Sequence, residues 1–166
     1  MIVSRRVKPP DLMCGRTTPR GHRIYRCTAY HEAAHFVIGR LAGFDKTGVT
    51  ISGDGSGVTW TGYGQYYCDT SGILNSLMDL FAGRIADRRA TTLGWDGANE
   101  DRRDAVRALA GLSRSKKKHL CAVAAMRTRG AVAAHWRTID RVAKALMRHG
   151  SIEQFPNAIP TSRRWK

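Results

Sequence analysis

The stretch His31-Glu32-Ala33-Ala34-His35 constrains this chain more than any other, because its chemistry converges only on a helix. On a helix, residues i and i+4 share one face a single turn apart. His31 and His35 can then direct imidazole nitrogens at one ion about 2.0–2.1 Å away. Glu32 lies about 100° around the axis. It is badly placed to be a third ligand but well placed to reach a water activated by the metal. Zinc proteases divide the labour this way: the ion acidifies water and polarises the carbonyl, and the glutamate moves the proton. A shuffled chain of this composition would show the template roughly 0.003 times. The competing reading is a surface helix on which Glu32 happens to flank two histidines. His22, His119, His135 and His149 have no such partner pattern and are expected at surfaces.

A catalytic zinc site needs a third protein ligand, with the fourth position left to water. The stretch does not continue into H-x-x-G-x-x-H, so that ligand comes from farther along. Asp54, Asp69, Asp79, Asp87, Asp96, Glu100, Asp101 and Asp104 all qualify, and composition does not choose among them.

The 166 residues suit one domain with a sizeable core. A content of 42% hydrophobic and 25% charged residues fits a folded soluble protein. Apolar runs are too short to span a bilayer, and the basic N-terminal stretch lacks the apolar segment of a secretory signal. Cys14, Cys27, Cys68 and Cys121 form no C-x-x-C pair and no disulfide framework. A cytoplasmic chain with reduced thiols is expected. The net charge of +15 is uneven. Residues 1–26 carry seven Lys/Arg against one acid, residues 27–101 five against nine, and residues 102–166 sixteen against three. Such basic ends can hold nucleic acid or an anionic surface, or be a solvated helical face.

Residues 1–26, with three of the five prolines, read as a basic flexible arm, and residues 153–166 as a basic tail. Thr28 is the expected N-cap of the motif helix and Gly43 its C′ stop. Val49-Thr50-Ile51 and Val58-Thr59-Trp60 are β-prone around the turn-like ISGDGSG, which predicts a hairpin. Ile73, Leu77, Leu80, Phe81 and Ile85 predict a helix over 71–92, ended by Gly94, and a glycine in its Ala82-Gly83 pair would let another helix come close. A third helix starts near Asp101, with Asn99 as N-cap and Ala105, Val106, Leu109 and Leu112 on one face. Two more are expected at 116–128 and 131–149, with Val132, Trp136, Ile139, Ala143 and Leu146 as a stripe. The fold class is mainly α with a small β-sheet or hairpin.

Several blocks, in order, resemble the peptidase domain of the FtsH family, the ring-forming ATP-dependent zinc proteases. AYHEAAH resembles AYHEAGH, GVTISGDGSGVTW a short strand segment, and LFAGRIADRRATT a glycine-rich helix reading G-G-R-A-A-E-E. GANED resembles G-A-S-N-D, and AHWRTIDRVAKALMRHGSI the last helix. The resemblance spans Cys27 to Ile152. It implies an FtsH-peptidase-like helical zincin domain over 27–152 with one Zn2+ per chain. The implied zinc ligands are His31, His35 and Asp101, with Glu32 as the catalytic base and Glu100 the chief competitor of Asp101. The implied activity is that of a zinc metalloendopeptidase acting on unfolded or flexible protein segments. Ala34 stands where the family has glycine. The chain holds no G-x-x-x-x-G-K-[ST] and no transmembrane segment, so ATP dependence is expected only through a separate ATPase or unfoldase. A homo-oligomer is a further partner the resemblance leaves open. The alternative is a catalytically weak or inactive FtsH-peptidase-like binding module with nucleic-acid-binding basic ends. A purely structural zinc site would have no use for Glu32.

Overall fold

The chain folds around one buried helix. The computed structural model describes residues 19–52, 55–61, 69–90 and 99–153. Among these are five helices and a three-stranded sheet: α1 (Pro19–Leu41), β1 (Lys46–Ile51), β2 (Gly57–Thr61), α2 (Thr70–Ala90), α3 (Asn99–Ala108), α4 (Arg114–Ala134), α5 (Trp136–His149) and β3 (Ser151–Glu153). Residues 27 to 39 of α1 are buried without interruption, as befits a helix covered on all sides. Its apolar residues Phe36, Val37 and Ile38 meet Val49 and Ile51 of β1, Ala82 and Ala86 of α2, and Ile139, Val142, Ala143 and Leu146 of α5 in one cluster. A second cluster joins Leu77 and Met78 of α2 to Ala105 and Leu109 and to Leu120 and Ala124 of α4.

The sheet order is β2-β1-β3, antiparallel throughout. The hairpin is the one expected, its turn closed by Ser52 N–H donating to Ser56 O at 2.7 Å. The third strand has no counterpart in the sequence reading, because three residues carry too little periodicity to read. It forms because Gly150, at φ +74°, ends α5 and redirects the chain along β1.

Helix boundaries differ from expectation at three places. Thr28 does not cap α1; the helix runs back to Pro19, across residues assigned to the arm. The Thr28 hydroxyl instead donates to Gly55 O at 2.6 Å and ties the helix to the hairpin turn. The expected stop at Gly43 is observed: Gly43 N–H bonds Arg40 O and Phe44 N–H bonds Gly39 O, with φ +94° at the glycine. The break between the last two helices falls at His135 rather than near 129–130. Gly130 stays helical, since an interior glycine costs only about 1 kcal/mol and Ala131 and Val132 must stay in the core. Asn99, expected as a cap, is the first helical residue of α3. Val106 is 67% exposed rather than on the buried face, because Ala105 and Leu109, one turn apart, take the side against α2.

No helix among the described residues is long and apolar enough to cross a membrane. Cys27 and Cys121 are thiols. The expectations for residues 1–18 of the arm, the tail from 154, Gly94, Asp54, Asp96, Cys14 and Cys68 lie outside the described residues.

Ile139 is fully buried between α5 and α1. Ile139→Ala should lower unfolding stability by about 2–5 kcal/mol, seen as a lower urea midpoint at unchanged slope.

Candidate metal centre

Helix periodicity puts His31, His35 and Gly39 on one face of α1 and Asp79, Gly83 and Asp87 on one face of α2. The two faces meet with the helices antiparallel. A Cβ on Gly83 would stand 2.5 Å from Cε1 and Nε2 of His31, and one on Gly39 would collide with Lys46 and Asp79. The glycines therefore allow a close approach that brings buried acids to the imidazoles. His31 Nδ1–H donates to Asp87 Oδ2 at 2.8 Å. His35 Nδ1 lies 3.5 Å from Asp79 Oδ1, and Lys46 Nζ donates to the other oxygen of Asp79 at 2.6 Å. Each ring is thus backed by a carboxylate at Nδ1, which leaves Nε2 facing inward. Such partners fix tautomer and orientation in metal-ligating histidines.

The third contributor comes from the first turn of α3. Asp101 Oδ2 is 3.1 Å from His31 Nε2 and 3.2 Å from His35 Nε2, and the two Nε2 atoms are 3.1 Å apart. These atoms form a nearly equilateral triangle. A tetrahedral ion with bonds of 2.0–2.1 Å has ligand–ligand edges of about 3.3–3.4 Å, so the donor set and its spacing fit a zinc-sized cation. With both rings neutral and protonated at Nδ1, the three facing atoms present only lone pairs, and either protons on Nε2 or a metal cation would relieve their repulsion. The charge count agrees. Asp79, Asp87 and Asp101 contribute three formal negatives and Lys46 one positive, leaving two negatives that one divalent ion balances. Buried charge needs such compensation.

Of the eight acids weighed as third ligand, Asp101 alone joins the two histidines among the described residues. Glu100 beside it is exposed, and so is Asp104, which pairs with Arg107. Asp69 caps α2 through Gly72 N–H. Asp79 and Asp87 stand behind the histidines. That role was missed, although a readable signal existed: two acids eight apart on one face of a helix, with a glycine midway. Glu32 points elsewhere, toward β2, as its offset requires. Thr59 Oγ1 donates to Glu32 Oε2 at 2.8 Å, and Gly57 leaves room for the Glu32 stem.

Burial alone would depress the basicity of both histidines. The carboxylates facing them, Asp101 first and then Asp87 at His31 and Asp79 at His35, favour the protonated rings and outweigh it, so His31 is raised and His35 raised well above 6.5. Burial pushes the carboxyls of Asp101 and Asp79 upward, but the histidines, with Lys46 at Asp79, hold both below 3.8.

No protein-family model matches the sequence, and no curated protein matches it closely enough to count as a relative.

Gly83→Ala should push the His31 ring and weaken divalent-metal affinity by about 10–100-fold, the range for loss of a ligand's supporting contact, with the far-UV CD spectrum unchanged. The same affinity in the variant would refute the packing. The raised histidines stabilise the metal-free fold below pH about 6.5, and this is lost as pH rises through their folded values. The lowered aspartates stabilise it above pH about 3.8, and this is lost as pH falls through theirs. The metal-free protein should therefore resist urea best between about pH 4 and 6.5, and divalent-metal binding near pH 7 should release protons, measurable by calorimetry in buffers of different ionisation enthalpy.

Proposed function

We propose that this chain is a zinc-dependent metalloendopeptidase of the FtsH-peptidase type that cleaves unfolded or flexible protein segments. The observation that carries the reading is the triangle of His31 Nε2, His35 Nε2 and Asp101 Oδ2, with Glu32 on the adjoining face of the same helix. Two histidines and a carboxylate are a donor set typical of catalytic rather than structural zinc sites. A zinc ion held there would supply Lewis acidity, polarising a scissile carbonyl and making water acidic enough to lose a proton near neutral pH.

The remaining work falls to the chain's own residues. Glu32 takes the proton from the attacking water and returns it to the leaving amine. Thr59 orients its carboxylate through the 2.8 Å bond. Asp87 and Asp79 hold the imidazoles, and Lys46 anchors Asp79. Strand β2 lies at the side of the sheet away from β3. Its Thr59 touches Glu32, while Val58 and Trp60 are exposed. An extended substrate segment can pair with such a strand by main-chain hydrogen bonds, which suits broad sequence tolerance. The resemblance in the blocks around His31, Gly83 and Asp101 supports the FtsH-type assignment, and a separate unfoldase would supply folded substrates.

The test is zinc content together with cleavage of an unfolded casein. Glu32→Gln should retain zinc and lose about 10²–10⁴-fold in rate, and Asp101→Ala should lose both zinc and activity. Full activity in Glu32→Gln, or no cleavage by the zinc-loaded wild type, would overturn the proposal.

A further inference from the structure

Helix α5 has two unlike faces. Ile139, Val142, Ala143 and Leu146 enter the core. Arg137, Arg141, Lys144 and Arg148 are all exposed and follow one another at steps of four, three and four residues. That spacing sets them in one line along the helix, with neighbours roughly 5–6 Å apart at Cβ. Like charges at these steps repel, and the only acid in α5 is Asp140. It is engaged already: Lys144 Nζ donates to one oxygen at 2.7 Å and Tyr30 Oη to the other at 2.6 Å.

Two further cations are fastened beside this line. Arg89, exposed in the last turn of α2, lies over the Trp136 ring at 4.8 Å, and Trp136 stacks on Tyr30 at 5.4 Å between centroids. Arg26 of α1 lies over Tyr30 at 5.6 Å. The stack holds guanidinium groups from α1 and α2 next to the start of α5. Six cations from three helices thus gather around Asp140, the one acid of α5.

We propose that this face, centred on Arg137, Arg141, Lys144 and Arg148 and flanked by Arg26 and Arg89, binds the phosphate backbone of nucleic acid without regard to sequence. A row of evenly spaced cations on a rigid helix matches a periodic polyanion, and neutralising phosphates releases the counterions that drive such binding. A membrane surface fits less well. Helices that lie on a bilayer bury an apolar face in it, whereas the apolar face of α5 is in the core. Among the described residues, the exposed large hydrophobic ones, Val58, Trp60, Val106 and Met126, are all on other elements. The proposal does not depend on the peptidase reading.

The test uses the full zinc-loaded chain and fluorescence anisotropy with a labelled 20-nucleotide oligo-dT and a 20-base-pair duplex. With four to six phosphates engaged on the single strand, affinity should fall about 50- to 300-fold between 50 and 200 mM salt. The triple variant R137Q/R141Q/R148Q should bind more weakly and show a salt slope shallower by about 2, with zinc content and CD spectrum unchanged. R102Q/R103Q, on the exposed side of α3, should bind as wild type does. The proposal is overturned if the triple variant keeps wild-type affinity and slope. It is also overturned if R102Q/R103Q loses as much, or if the protein binds phosphatidylserine-containing vesicles but neither nucleic acid.

Discussion

Much of this structure depends on how closely α1 and α2 approach each other. Two helices meeting through ordinary side chains would keep His31 and His35 away from the backbone of α2, and buried acids there would have no partners. Gly39 and Gly83 remove the obstruction, one on each helix. The consequence is a buried electrostatic cluster in which every charge leans on another: Lys46 on Asp79, Asp79 on His35, Asp87 on His31, and Asp101 on both imidazoles. Its formal excess of two negative charges is a standing demand for cation. Protons on the histidines or one divalent ion can meet it, and the competition between them couples metal affinity to pH.

The same cluster explains the small sheet. Lys46 opens β1 and is itself buried against α2, while Thr28 and Glu32 of α1 grip the hairpin through Gly55 and Thr59. The hairpin is therefore fixed at the face of α1 adjoining the histidines, and one row of β2 side chains faces the candidate base while the alternate row faces outward. Strand β3 covers the far side of β1 and is delivered by the glycine stop of α5. The metal centre, the edge strand and the basic face of α5 thus all radiate from one buried helix.

What could be read in advance follows from the range of each signal. Helix and strand periods are local, so α2, the hairpin and the Gly43 stop were legible to within a few residues. The start of α1 was not, because Thr28 has a cap-forming side chain whose hydroxyl was recruited 27 residues away instead. Gly130 looked like a boundary because glycine is a poor helix former, yet the burial of its neighbours outweighed a penalty of about 1 kcal/mol. Val106 looked like core because it is apolar, and only the orientation of α3 against α2 shows that its face is turned outward.

By itself, the sequence determined that His31 and His35 share one helix face and that Glu32 is offset from them, since both follow from 3.6 residues per turn and need no neighbour. It also determined a candidate third ligand through the ordered blocks that resemble a known peptidase domain. Only the tertiary structure decided, among the described carboxylates, that Asp79 and Asp87 serve from behind while Asp101 closes the triangle. Those contacts span 44 to 70 residues of chain. Their selection rests on the register and distance of helices packed through two glycines, a quantity that no local pattern encodes.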